Sequence, residues 1–378
     1  MKRIVVCLDG TWNAADSGKA ETNVARIARA VRARPPGKAP QTVLYLRGVG
    51  SSGGFFQRLT DGAIGSGVDD NIRSAYMFIA QNYAPADDDS PADEIYLFGF
   101  SRGAYTARSL GGLIRWAGLL KRQHLDKVDQ AWNYYRSEER KMGALAFAKR
   151  FDAAHPENVS HTDVSIEFMG VWDTVGALGI PKLSLFGGSQ EKYQFHDTTP
   201  SAIVKRACHA MAVDEFRDEF VPTYWTGATP EGAEITQMWF AGAHSDVGGG
   251  YDDGVLAHIP LRWMAEEAAK RGLELDWTVL PPQDMLNDCA DQHESREGWS
   301  LKDLNSPTFR KVCDYTFEVA GQERLRGPED AAGNPVNAIG EELHPTLKAR
   351  IGKDIQIRWQ KAKGGSFKRA YEPRNIKR

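Results

Sequence analysis

Over the first two thirds of the chain, short runs of apolar residues alternate with segments whose apolar positions recur at helical spacing. A strand covered on both faces loses its in–out alternation, whereas a helix keeps one apolar stripe, so this pattern predicts an α/β domain with a mostly parallel sheet. Ile4 to Leu8 predicts the first strand and Asn23 to Ala33 the first helix. Thr42 to Leu46 predicts a second strand, and Val68 to Tyr83 a helix with Ile72, Ala75, Tyr76 and Ile79 on one face. An acidic, proline-bearing loop follows, then the continuous apolar strand Ile95 to Phe100 and a helix over Ala104 to Leu120. The polar, helical stretch 121–161 reads as a cap-like insertion. Beyond it come a strand, Val164 to Trp172, a helix, Ser201 to Val213, a strand, Ile235 to Ala241, and a helix, Ile259 to Arg271. The periodic signal weakens after Leu280, which divides the chain into a domain, 1–280, and an appended C-terminal region, 281–378.

Where the strand Ile95 to Phe100 meets its helix, the chain reads Gly99-Phe100-Ser101-Arg102-Gly103. G-x-S-x-G between strand and helix is the context of a nucleophile elbow. The serine must sit on a tight, strained turn to project its hydroxyl from the sheet edge, and side chains on the flanking positions would collide with strand and helix. The helix starts at once, so its N-terminal N–H groups face the place where an oxyanion would form, and the backbone N–H of Arg102 is one such donor.

A serine nucleophile needs a base, and the base an orienting carboxylate. His244 follows the apolar strand ending in Trp239-Phe240-Ala241 and lies on a loop, from which an imidazole can swing over a neighbouring strand's serine. His209, inside the predicted helix, is the rival and reads as a packed, locally bonded side chain. Asp173 ends the strand Ile166 to Trp172 and is the expected acid. Asp246, two residues after His244, and Asp214, at a helix end, are the weaker alternatives. The second oxyanion donor is expected from Asp9-Gly10-Thr11-Trp12-Asn13, with Thr11 N–H pointing into the site and Asp9 bracing the loop. The order serine, acid, histidine is that of the α/β-hydrolase fold.

Two patterns point elsewhere. Gly48-Val49-Gly50-Ser51-Ser52-Gly53 imitates a dinucleotide fingerprint, but no helix opens directly after it and no strand ending in an acid follows at the required spacing. Asp246, Asp252 and Asp253 lack the Asp-x-Asp-x-Asp-Gly spacing of a calcium loop and read as solvated turn residues.

Composition narrows the partners. The 378 residues carry 47 Lys and Arg against 50 Asp and Glu, a net charge of −3, which removes the basic excess of a nucleic-acid-coating protein. That balance is uneven: residues 348–378 hold 11 basic and 2 acidic side chains, net +9, leaving −12 for the rest. The basic tail, with Trp359, Phe367 and Tyr371 between its charges, fits either solvent or peripheral contact with anionic headgroups. Four distant cysteines with no C-x-x-C pair speak against a structural zinc and a disulfide framework, so no metal or cofactor is expected. The apolar run at the start ends at Asp9, too short for a signal peptide, and no segment is long enough to span a membrane; the expected location is cytoplasmic. Nothing in the sequence sets an oligomeric state.

Beyond these local arguments, several strings resemble a bacterial α/β-hydrolase domain family long described as uncharacterised, which includes the catalytic domains of type VI secretion phospholipase effectors. They are Leu8-Asp9-Gly10-Thr11-Trp12-Asn13, Gly48-Val49-Gly50, Ile95 to Arg108, Val171 to Gly176, His209 to Glu215 and His244 to Tyr251. The resemblance spans residues 4 to about 270. It implies an α/β-hydrolase-like three-layer sandwich and, in Ser101, Asp173 and His244, the family's triad. It further implies an ester substrate, a glycerophospholipid acyl ester in the effector members, and delivery by a secretion system in those members. No large additional membrane-docking domain like that of the effectors is expected from these 378 residues. The expectation is therefore a serine esterase or lipase acting on a small-molecule or lipid ester. Two other functions fit the same residues: an acyltransferase with the same triad, and a non-catalytic binding protein on a hydrolase scaffold. Aromatic residues of Phe186 to Phe195, the insertion and Trp225 are candidates for acyl-chain contact.

Overall fold

The computed structural model describes residues 1–10, 20–48, 63–175, 199–296, 307–313, 325–330, 333–359 and 365–376. Its first half contains β1 (Arg3–Leu8), α1 (Asn23–Ala30), β2 (Gln41–Leu46), α2 (Ala63–Asn82), β3 (Glu94–Phe100), α3 (Arg102–Ala117), β4 (Leu119–Leu120), α4 (Val128–Tyr135), α5 (Ala144–Lys149), β5 (Ser160–His161) and β6 (Phe168–Trp172). The second half continues with β7 (Arg206–Ala212), β8 (Glu234–Phe240), α6 (His244–Gly248), α7 (His258–Lys270), β9 (Gln292–His293), β10 (Phe309–Arg310), β11 (Leu325–Arg326), β12 (Glu341–Leu343), α8 (Pro345–Arg350), β13 (Asp354–Arg358) and β14 (Ser366–Ala370).

Seven strands form one sheet in the order β2-β1-β3-β6-β7-β8-β12, with every neighbouring pair parallel. Alternate residues sort onto two faces and build two cores. Val5 and Cys7 of β1, with Tyr96 and Phe98 of β3, pack with Val24 and Ile27 of α1 and Leu261 and Met264 of α7. Ile4, Val6 and Leu8, with Ile95 and Leu97, face Ile72 and Ala75 of α2 and Leu110 of α3. The result is the three-layer α/β-hydrolase-like architecture, and the helical stretch after α3 packs its Trp132, Tyr134 and Phe147 into the second core. The chain runs from β1 outward to β2 and then returns to place β3 on the other side of β1. At such a switch point the carboxyl ends of the strands leave an open crevice.

The stretch predicted as a helix over Ser201 to Val213 is instead the strand β7, buried at every position between β6 and β8. Its Ala-rich composition favours helix by only a few tenths of a kcal/mol per residue. Burying Met211 completely is worth about 2 kcal/mol, and both edges of the strand are filled by ladder partners. Tertiary pairing therefore overrides local preference.

Residues beyond 281 supply β12 to the main sheet and close on the first core through Val312, Leu347, Ile355 and Tyr371. The basic segment is partly built into this region: Arg350 is buried and donates to the carbonyls of Asp288 and Ala290, while Tyr371 OH donates to Asp214 Oδ2 at 2.8 Å. Among the described residues of that segment, β14 is exposed along its whole length.

Candidate active site

The turn after β3 carries Ser101 at φ 57° and ψ −121°, a left-handed position that costs a non-glycine residue about 1–3 kcal/mol. Close packing holds it there. A Cβ on Gly103 would lie 2.1 Å from the Leu8 carbonyl oxygen, and one on Gly99 would lie 2.4 Å from that of Gly103. Both glycines let α3 start directly against the ends of β1 and β3. Ser101 N–H donates to the Trp172 carbonyl at 3.0 Å, which ties the elbow to the strand that delivers Asp173. Arg102 opens α3, so its backbone N–H belongs to the first-turn donors that point out of the helix.

Asp173 follows β6 at φ 38° and is fully buried. Its Oδ2 accepts from His244 Nδ1 at 2.5 Å. Its Oδ1 accepts from Ala212 N–H at 3.0 Å. Burial pushes this carboxyl up, but Arg310 and the His244 bond outweigh burial and hold it well below the usual carboxylate range. An ionised Asp173 requires the proton on Nδ1, which leaves the Nε2 lone pair as the basic site. His244 begins α6 and lies between two aromatic rings, Phe100 at 4.6 Å and Phe220 at 4.8 Å between centroids. Since Phe100 precedes Ser101, the elbow and the imidazole are neighbours at one rim of the sheet. Burial pushes the His244 imidazole below its ordinary value, against the opposite pull of Asp173. At neutral pH it is a neutral base.

Four charges surround that imidazole among the described residues. Glu215 Oε2 accepts from His244 N–H at 3.2 Å and pairs with Arg217 at 2.7 Å. Burial raises the Glu215 carboxyl, and Arg217 more than reverses this, bringing it down to about 2. Arg310, on β10, forks onto Asp173 with Nη1 at 2.6 Å from Oδ1 and Nη2 at 3.0 Å from Oδ2. Neither Arg310 nor the Glu215–Arg217 pair was legible as part of a site. Arg310 sits in a two-residue strand within a region of weak periodicity, and a lone arginine there carries no local signal.

The rivals fall into other roles. His209 is buried on β7, where Nε2 accepts from Thr174 N–H at 3.1 Å and Nδ1 meets Gln237 Oε1 at 3.2 Å; burial lowers its pKa to about 3. Asp246 is no solvated turn residue, since it is wholly buried and accepts from His293 Nδ1 at 2.7 Å, from His293 N–H and from Ala243 N–H. Asp253 is likewise engaged, by His293 Nε2 at 2.9 Å and Arg358 at 2.6 Å. Asp214 accepts from Gly242 N–H and Tyr371 OH, and burial raises its carboxyl to about 6. Asp9 accepts from Gly10 N–H, Thr22 OH and Tyr45 OH. Thr11, the Val49 to Gly53 part of the glycine loop and the aromatic stretch Phe186 to Phe195 lie outside the described residues.

A shallow, solvent-open cleft lies along α3 and is lined by Tyr105, Arg108, Arg115, Trp116, Tyr135 and Trp225 among others. Ser101 and His244 are not in its wall. Among the described residues no group of three His, Cys, Asp or Glu side chains is placed to hold a metal ion, and no helix is long and apolar enough to cross a membrane.

Residues 2–267 match the family described as the type VI secretion system phospholipase effector Tle1-like catalytic domain. The chain belongs to this family. A curated relative of the Tle1-like chain, an uncharacterized protein of Saccharomyces cerevisiae, is 29% identical over 237 residues, 58% of this chain and 32% of its own length. A solved structure of an uncharacterized protein from Pseudomonas aeruginosa is 18% identical, with a TM-score of 0.45, covering 75% of this chain and 48% of the other. The structure of the Tle1 effector bound to the VgrG spike of the type 6 secretion system is 19% identical, with a TM-score of 0.38, covering 67% of this chain and 52% of that one. The Tle1-like chain thus spans about half the length of these solved chains and a third of the yeast protein.

Proposed function

We propose that this chain is a serine hydrolase of carboxylic esters, with acyl esters of phospholipids as its substrate class, and that Ser101, His244 and Asp173 carry the reaction. The observation that carries this reading is the 2.5 Å contact between Asp173 Oδ2 and His244 Nδ1 beside the strained Ser101 turn. In the first half-reaction His244 Nε2 takes the Ser101 hydroxyl proton while Oγ bonds to the ester carbonyl carbon. The carbonyl oxygen becomes an oxyanion, held by the backbone N–H of Arg102 at the start of α3. When the tetrahedral intermediate collapses, the bond to the alcohol oxygen breaks and His244 returns the proton to that oxygen. Water then attacks the acyl-enzyme by the same steps, releasing the carboxylic acid and restoring Ser101. The family supports the ester and lipid class; the triad and the acyl-enzyme route are this chain's own proposal.

The direct test compares wild type with Ser101→Ala on p-nitrophenyl esters and phospholipid vesicles. Loss of hydrolysis by at least about 10³-fold, with an unchanged unfolding transition, is the expected result. Retained hydrolysis would remove Ser101 from the mechanism. Added glycerol or lysolipid that diverts product from free acid to a new ester would reassign the same triad to acyl transfer. Contact with anionic headgroups is assigned to the exposed β14, where Lys368 and Arg369 follow Phe367. Reversing both charges, rather than deleting the segment that carries buried Arg350 and Tyr371, should weaken binding to anionic vesicles.

A further inference from the structure

We infer that Arg310 is a positioning residue for the reaction, and that the region beyond the family's catalytic-domain match completes the acid–base machinery. This inference rests on the triad reading given under Proposed function. The match ends at residue 267, yet the guanidinium that grips Asp173 comes from residue 310.

The geometry is that of a clamp. The two terminal nitrogens of Arg310 each contact one oxygen of Asp173, and each also donates to a main-chain carbonyl, Nη1 to Ala212 at 2.7 Å and Nη2 to Phe220 at 2.6 Å. A planar fork held at four points leaves the carboxylate one orientation, with Oδ2 toward His244. Phe220, whose carbonyl is one of those points, packs its ring on the same imidazole. Arg310 is buried, and its backbone carbonyl accepts from Asn375 Nδ2 at 3.2 Å, so the C-terminal segment holds the clamp in place.

The second consequence is electrostatic. The groups facing His244 among the described residues are Asp173 from the end of β6, Glu215 and Arg217 from the loop after β7, and Arg310 from β10 across Asp173. Two carboxylates and two guanidiniums sum to zero, so protonating His244 would create a net buried charge. Without Arg310 the same surroundings would be net negative and would favour the imidazolium. Arg310 therefore orients the base through Asp173 and keeps it unprotonated at mildly acidic pH.

The test is the pH dependence of kcat/KM for full-length wild type, Arg310→Gln and Arg310→Lys on p-nitrophenyl butyrate, followed at the isosbestic wavelength. Wild type is expected to show an acid limb below about 6.5. In Arg310→Gln that limb should move up by about one pH unit, with plateau kcat lower by on the order of 10- to 100-fold and KM within about twofold. Arg310→Lys keeps the charge but not the fork, so its limb should stay with wild type while kcat falls. An acid limb that ignores Arg310→Gln would overturn the inference, as would a wild-type limb above pH 7. If Arg310→Gln does not fold, an upward shift in Arg310→Lys overturns it, and an unmoved limb with lowered kcat supports it. Hydrolysis that survives Ser101→Ala refutes the triad itself; hydrolysis lost in Ser101→Ala but indifferent to Arg310 refutes this inference alone.

Discussion

Among the described residues there are two buried histidine–aspartate pairs, and their surroundings differ in charge. In both, Nδ1 meets a carboxylate at short range, 2.5 Å for His244 with Asp173 and 2.7 Å for His293 with Asp246, and in both the aspartate side chain is wholly buried. Everything beyond that bond differs. Asp173 shares its charge with Arg310, and no carboxylate contacts His244 Nε2 among the described residues. His293 has a second carboxylate, Asp253, on Nε2, and Tyr251 stacks on its ring at 3.8 Å. Burial depresses both imidazoles, but the two carboxylates more than reverse this for His293, whose pKa is raised, while His244 stays lowered. One pair biases its imidazole toward the neutral form, and the other biases its imidazole toward the protonated form while fastening β9 to the helix α6 on which His244 stands. A short His–Asp contact does not by itself identify a catalytic base; the charge on the far side of each partner decides.

The largest expected effect breaks the first pair. Asp173→Asn should lower kcat by about 10³- to 10⁴-fold by removing the group that fixes the tautomer, while the matching change at the other pair, His293→Gln, should leave kcat on a soluble ester within about threefold. Comparable losses from both would erase the distinction.

A middle-sized effect concerns stability and its pH dependence. A histidine whose folded pKa is raised contributes stability that is full below its unfolded value, near 6.5, and is lost as pH rises through the folded value. His293→Gln should therefore cost about 1–3 kcal/mol at pH 6 and progressively less at pH 8 to 9, read from urea midpoints. A cost that grows with pH would mean His293 is neutral in the folded protein.

The smallest effect tests the second carboxylate. Asp253 is 42% exposed in its side chain, so Asp253→Asn should lower the His293 pKa measured by NMR, with a stability change at pH 6 below about 1 kcal/mol. No movement of that pKa would assign the raised value to Asp246 alone.

The parts of this arrangement that were legible in the sequence share one property: each announces itself locally. Ser101 sits in a glycine-flanked string between a strand and a helix, and Asp173 and His244 each follow an apolar run. The parallel sheet was legible for the same reason, through runs such as Ile95 to Phe100. What stayed hidden depends on contacts across many residues. Arg310 reaches Asp173 over a separation of 137 residues, and His293 reaches Asp246 over 47, from short strands in a weakly patterned region. Asp246 looked solvated because turn composition does not reveal what folds over it. The strand β7 looked helical because its small residues suit either state until β6 and β8 occupy its edges.

The most direct measurement is the location of covalent label after treatment with a fluorophosphonate. One adduct at Ser101, absent in Ser101→Ala and formed far more slowly in His244→Gln, is the result expected of a hydroxyl activated by the neutral imidazole at position 244. A folded wild-type chain that takes no label, or takes it equally fast when His244 is replaced, would contradict the account.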